Sequence, residues 1–178
     1  YRKIIGVLKK LNIKTLYASH KKIGEETIDG ITIKPCPLYA VNVEDNERNL
    51  LFKDVDFLGC ERKYLYSFVG GYNNNYMNKT RPKIFEMKHP ENCLVENSNG
   101  WHFEKVVYGQ QKKDGTYTKD VKNIENYNQM LLDSRYSLCP CGSGPNSIRF
   151  WESLAIGSIP VLLSDTLDLP NHELFDNT

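Results

Sequence analysis

Apolar positions along the chain change period several times, and each change predicts an element. Ile4, Ile5, Leu8 and Leu11 fall at helical spacing and predict a helix over Arg2–Leu11. Ile13–Ala18 and Ile31–Lys34 are short apolar runs that predict strands. The stretch PCPLYAVNVEDNERN has two prolines and few apolar residues, and reads as a turn-rich crossing. A new block starts at Lys63. Tyr64–Val69 predicts a buried strand, stopped by Gly70-Gly71-Tyr72 and an asparagine run. Thr80–Met87 predicts a short helix with Pro82 in its first turn. Cys93–Val95 predicts a strand, Trp101–Thr118 a loop with an exposed KKDGTY tip, and Val121–Asp133 a helix. Strand Tyr136–Cys139, helix Asn146–Ile156 and strand Ile159–Leu163 follow.

From residue 64 onward the order is β-α-β-α-β-α-β, so the expected fold class is α/β with a mostly parallel sheet. Such sheets bind ligands outside the carboxyl ends of their strands. The loops after Tyr64–Val69, Cys93–Val95 and Tyr136–Cys139 are therefore the ones to watch, and all are rich in Gly, Ser and Asn. A boundary is expected near residue 61, with residues 1–61 the tail of a preceding α/β domain and 62–178 a second one. The chain starts within helix-like sequence and stops after a strand–turn signal, which reads as a piece of a longer protein.

Composition narrows the class. The 178 residues are 40 % apolar and 25 % charged, which suits a globular chain rather than a disordered one. A net charge of +1 gives no argument for nucleic acid or an anionic membrane as partner. The longest apolar run, Leu154–Leu163, is broken by Gly157, Ser158 and Pro160 and is far short of the roughly 20 residues of a membrane helix. The five cysteines lack zinc-like spacing and read as small buried apolar residues in a reducing compartment.

Candidate chemistry concentrates in YSLCPCGSGPNSIRFWESLAIGSIPVLL, residues 136–163. Gly142–Ser147 joins a strand to a helix, with Asn146 or Ser147 placed to cap it. First-turn N–H groups there lack partners within the helix and favour an anion. For the loop alone, a tight connection with local caps is a slightly better account. The helix shifts the balance, because Arg149 and Glu152 stand three residues apart on the side near the strand ends. Read functionally, Arg149 neutralises a diphosphate and Glu152 accepts ribose hydroxyls; otherwise they are an ordinary surface pair. The loop is also a near match to the dinucleotide fingerprint, with Asp165 as the ribose acid, which leaves an NAD(P)-dependent oxidoreductase as an alternative. Ser147 in place of the third glycine, Pro145 and the late position in the chain count against it. Asp54-Val55-Asp56 is a D-x-D of the kind that holds a metal and a nucleotide sugar, but it sits on a charged linker and is rejected as a metal site. His20 follows a strand end facing the expected cleft and is the candidate general base, although most lone histidines are surface or packing residues.

These residues resemble the exostosin-like glycosyltransferases, glycosyltransferase family 47. The likeness is carried by Cys139-Pro140, Gly142–Ser147, Arg149-Phe150, Glu152, Leu154, Gly157, Pro160-Val161 and Leu169-Pro170, and by RKYLYSFVGGYNNNYMNKTRPKIFE, with Arg81 as the basic residue opening a helix. It spans roughly residues 62–170. Within the family, KTLYASHK and KPCPLYAVN are most similar to the compact exostosin-like proteins of large algal DNA viruses, some of them xylosyltransferases. The resemblance implies a GT-B architecture, with a Rossmann-like C-terminal domain binding the nucleotide sugar. It implies an inverting transfer, xylose favoured, from a UDP-sugar to a glycan hydroxyl, with no cofactor and no bound metal. Arg149 would meet the diphosphate and Glu152 the ribose. Ser143, Gly144, Asn146 and Ser147 would supply loop contacts, and Gly70, Gly71 and Tyr72 would border sugar and acceptor. Family members often carry a basic residue in the loop that here holds Tyr72 and asparagines, and Arg81 is the expected substitute. The compartment would be cytosolic for a viral protein and the Golgi lumen for a cellular one. A glycan- or nucleotide-binding domain without activity is the remaining alternative.

Overall fold

The computed structural model describes residues 2–98 and 121–170. The loop expected at Trp101–Thr118 lies outside the described residues.

The first unit is small. Helix α1 (Arg2–Lys10) leads into strand β1 (Thr15–Ala18), and strands β2 (Thr27–Ile28) and β3 (Ile31–Pro35) complete a three-stranded sheet in the order β1-β3-β2. Strand β3 alternates as a half-buried strand should, with Ile31 and Ile33 inside and Thr32 and Lys34 outside. Ile5, Ala18, Ile31 and Ile33 form its core. Strand β2 is absent from the sequence reading. Asp29 and Gly30 both take positive φ, 50° and 80°, which makes the two-residue hairpin turn that pairs Ile28 with Ile31.

The second unit is a four-stranded, all-parallel sheet. Its strands are β4 (Tyr64–Gly70), β5 (Leu94–Asn97), β6 (Ser134–Pro140) and β7 (Ile159–Leu163), ordered β5-β4-β6-β7. Helices α3 (Thr80–Glu86), α4 (Val121–Leu132) and α5 (Ile148–Ala155) follow β4, precede β6 and join β6 to β7, as the alternation predicts. Strand β4 is central. The chain leaves it for β5 on one side and later adds β6 on the other, so the strand order reverses between β4 and β6.

The crossing between the units is not a bare linker. It holds a short helix, α2 (Val41–Glu44), and a 3-10 turn at Leu50–Phe52. Phe52 is buried with Met130, Leu131 and Ile156, and Val43, Leu51 and Phe57 pack around them. Residues 43–57 therefore cover α4 and α5. Arg62 seals this face, donating to the carbonyls of Phe57 (2.8 Å), Ile156 (2.8 Å) and Leu132 (2.7 Å). Gly157 is required beside it: φ is +71°, and a Cβ there would come within 3.2 Å of the Phe57 carbonyl and 3.3 Å of the Arg62 guanidinium.

A second tie runs from the first unit to the end of the described chain. Lys21, 1 % exposed, pairs with Asp168 and with Glu26 (3.1 Å). Burial pulls its ammonium down, and the two carboxylates outweigh that and leave its pKa raised. Backbone bonds Ile23 N–H to Thr166 O and Asp168 N–H to Lys21 O, each 3.1 Å, run alongside. No described helix is long and apolar enough to cross a membrane.

Candidate active site

The carboxyl ends of β4 and β6 hold two arginines. Arg149, one residue into α5, donates to the Val69 carbonyl on β4 and to the Leu138 carbonyl on β6 (3.3 Å). It thus straddles the point where the strand order reverses, the place where open α/β sheets bind ligands. Arg81, in the first turn of α3, donates to Cys141 O (3.1 Å) and Gly71 O (2.9 Å). Phe68, fully buried on β4, lies beneath both: the guanidinium carbons are 4.6 Å (Arg149) and 5.5 Å (Arg81) from its ring centre. Tyr76 stacks on Arg81 at 4.6 Å.

Gly70 completes this floor. A Cβ at Gly70 would lie 3.3 Å from the Phe68 ring, 3.4 Å from Arg81 Nη1 and 3.6 Å from Arg149 Nη2. Both guanidiniums therefore converge on Gly70, where an added Cβ would be in contact with each and tight against the Phe68 ring. Among the described residues neither arginine is ion-paired with a carboxylate. Burial, then the charge of Arg149, brings Arg81 down to about 10. Two like charges held together in a partly dry place favour an anion between them.

Glu152 stands differently from Arg149. It is 1 % exposed. Its Oε1 accepts from the Asn42 backbone N–H (3.1 Å) and side-chain amide (2.8 Å), and its Oε2 accepts from the Tyr127 hydroxyl (2.8 Å). Burial raises its pKa, and the bonds from Tyr127 and Asn42 with the charge of Arg149 only partly offset that. The two α5 residues expected to neighbour one another meet through a third, because Arg149 Nε donates to the same Tyr127 hydroxyl at 3.4 Å. Burial and Glu152 push the Tyr127 phenol well up, so it stays protonated and can donate.

The loop between β6 and α5 holds Gly142, Ser143, Gly144, Pro145, Asn146 and Ser147. Ser147 is the N-cap of α5, but its side chain makes no capping bond. Ser143 is exposed and Gly144 partly so. Asn146, 5 % exposed, is fully engaged: its side-chain amide donates to Ser19 O (2.5 Å), its carbonyl accepts from Trp151 Nε1 (2.8 Å), and its backbone N–H donates to His20 Nδ1 (3.3 Å). His20 is brought to the loop, and partial burial lowers its pKa. Beside it opens a cavity of about 810 Å³, lined by His20, Lys22, Thr27, Ile28, Met77 and Ser143 among others. Gly71 is buried, and Tyr72 meets Tyr76 edge-on with ring centres 6.0 Å apart. Asp54 and Asp56 are exposed, and Asp56 Oδ1 accepts the Leu58 N–H (3.1 Å), an ordinary turn contact. The loop follows β6, the third strand of its sheet in chain order, which is not where the dinucleotide fingerprint sits.

Phe68, Tyr127, Tyr76 and Asn42 were not picked out from sequence. Phe68 falls in the strand expected to be buried, and Tyr127 in the helix expected over Val121–Asp133, where it packs against the core. Asn42 lies in a polar crossing, and no local signal marks it.

Comparison with known proteins gives the family. Residues 29–178 match the family model described as Exostosin GT47 domain. An "Exostosin-1 homolog" of Caenorhabditis elegans is 28 % identical over 145 residues, 78 % of this chain and 35 % of that protein. "Exostosin-1a" of Danio rerio is 29 % identical over 122 residues, 65 % of this chain and 16 % of its own length. "Ribitol-5-phosphate xylosyltransferase 1" of Homo sapiens is 28 % identical over 102 residues, 57 % of this chain and 20 % of that protein. The chain thus spans about a third or less of the length of these relatives. With the family model covering most of its residues, the chain belongs to the Exostosin GT47 family.

Proposed function

We propose that this chain forms the donor-binding side of an inverting GT-B glycosyltransferase that moves a sugar from a UDP-sugar to a glycan hydroxyl. Family membership supports glycosyl transfer, and a xylosyltransferase among the relatives favours xylose. The observation that carries the donor site is the pair Arg149 and Arg81, converging on Gly70 over Phe68 at the carboxyl ends of β4 and β6.

In this reading a general base takes the proton from the acceptor hydroxyl as its oxygen attacks the anomeric carbon. The bond from that carbon to the diphosphate oxygen breaks, and UDP leaves with the electron pair. The charge developing on the diphosphate falls between the two guanidiniums and the first-turn N–H groups of α5, an arrangement fixed before reaction. Glu152 acts through Tyr127, which holds Arg149 Nε. A direct bond from ribose to Glu152 needs Asn42 to give way. The open cavity beside Ser143 and His20 is the proposed seat of sugar and acceptor.

Calorimetric titration with UDP, uridine and NAD tests this. UDP should bind wild type, and Arg149→Ala should weaken it by roughly 10- to 100-fold, the loss of one charge-assisted bond. Uridine, which has no phosphate, should be little affected by Arg149→Ala. Glu152→Ala separates its two roles: a ribose contact weakens uridine and UDP alike, whereas action through Arg149 weakens UDP alone. Binding of NAD without UDP would overturn the proposal, and equal loss of uridine and UDP in Arg149→Ala would remove the phosphate assignment.

A further inference from the structure

The loop after β1 reaches from the first unit across to the proposed donor loop, through the His20 imidazole and the Ser19 carbonyl. Three contacts define the crossing. The Asn146 N–H donates to His20 Nδ1 at 3.3 Å, and the Asn146 side-chain amide donates to Ser19 O at 2.5 Å. The His20 ring lies against Gly144, where a Cβ would come 2.5 Å from Nδ1 and 2.8 Å from Cε1. Glycine at 144 is therefore demanded by the ring, not by the loop's own backbone, since its φ is not positive.

The chemistry follows from the direction of the first bond. A neutral imidazole has one basic nitrogen. Accepting from the Asn146 N–H makes that nitrogen Nδ1 and leaves the proton on Nε2. Nε2 thus carries a proton already, and the lone pair a general base needs is turned into the loop.

We propose that His20 is a positioning residue: from the first unit it holds the Gly142–Ser147 loop in its donor-binding shape. The inference rests on the proposed UDP site. Through Asn146, whose carbonyl also takes the Trp151 N–H at 2.8 Å, the same contact reaches α5, which carries Arg149.

Three substitutions separate this from a base. Asparagine can place its Oδ1 where Nδ1 lies, glutamine reaches toward Nε2 instead, and alanine supplies neither. His20 is exposed, so none of the three disturbs the core. His20→Ala and His20→Gln should each weaken UDP by about fivefold, the loss of one neutral hydrogen bond, while His20→Asn keeps a UDP affinity within about twofold of wild type. Gly144→Ala should weaken UDP in wild type and add nothing in the His20→Ala background, where the added methyl has room. Trp151 gives a reading without ligand. In a Trp101→Phe background its fluorescence should shift with His20→Ala and not with His20→Asn.

Unchanged UDP affinity in all three variants, with turnover lost in all three, would make His20 a base and overturn the inference. Equal weakening in all three, asparagine included, would also overturn it. If wild type binds no UDP yet the Trp151 shift is present, the donor assignment fails and the loop-holding contact stands; if the shift is absent as well, both fail.

Discussion

Both ends of the parallel sheet are closed by arginine, and the two closures differ in kind. At the amino end, Arg62 donates to the carbonyls of Phe57, Leu132 and Ile156, and Lys63 pairs with Asp133 at 2.9 Å. Leu132 and Ile156 end helices α4 and α5, so the guanidinium meets the partial negative charge of two helix C-termini. Its charge is answered on every side. At the carboxyl end, Arg149 and Arg81 also donate to carbonyls, but they face one another over Phe68 and across Gly70. An arginine that ends helices is architecture. Two arginines held over one phenylalanine ring, with no carboxylate partner among the described residues, are the charges that the proposed diphosphate would meet.

The sharpest way to break this comparison is to remove one arginine from each end. Arg62→Ala should lower stability by about 3 kcal/mol, because charged donors to several helix-end carbonyls are lost together. It should leave the UDP affinity of the folded protein within about twofold, whereas Arg149→Ala should reduce that affinity and change stability less. Denaturant unfolding and calorimetry on both variants read this. Comparable UDP loss in folded Arg62→Ala would show that the two ends are not distinct.

A smaller perturbation targets Gly70. Gly70→Ala brings a methyl within 3.4 Å of Arg81 Nη1 and 3.3 Å of the Phe68 ring. Displacing both neighbours should weaken UDP by roughly tenfold, about 1–2 kcal/mol on the scale of overpacking. Full affinity in that variant would mean the guanidiniums do not need to converge there.

The tyrosine link comes next. Tyr127→Phe keeps the ring and removes one hydroxyl from between Arg149 and Glu152, for a loss of about 1 kcal/mol in stability and less UDP weakening than Arg149→Ala. Glu152 adds a pH signature. Its pKa is raised above 4.5 in the fold, so between 4.5 and the raised value the native state holds more protons than the unfolded chain. Stability therefore falls as pH rises through that window and levels off above it. Melting temperature against pH, from about 4 to 8, should show that fall in wild type and lose it in Glu152→Gln. Parallel profiles would mean that Glu152 ionises as an exposed carboxylate does.

The smallest expected effect is none. With two guanidiniums supplying positive charge, transferase activity should survive EDTA. Abolition with rescue by Mn²⁺ would turn attention to Asp54 and Asp56.

Local pattern was enough to give the parallel sheet and the strand ends at which its ligand loops are expected. Alternating strand and helix patterns are local, and a parallel sheet with ligand loops at its carboxyl ends follows from connection rules alone. Arg149 was legible for the same reason, standing at a helix start after a strand–loop signal, whereas Arg81 was singled out only by the resemblance to family 47. The Asp29-Gly30 turn was equally local and marks a hairpin that a strand-by-strand reading passes over. The partners came from the packing of distant segments. Glu152 meets Asn42, 110 positions away, Tyr127 joins it to Arg149, and His20 reaches Asn146 across 126 positions. Periodicity states which side of an element is buried and says nothing about what lies opposite. An exposed-looking Arg–Glu pair on one helix thus became two linked groups, a carboxylate buried against Asn42 and Tyr127 and a guanidinium spanning the ends of β4 and β6.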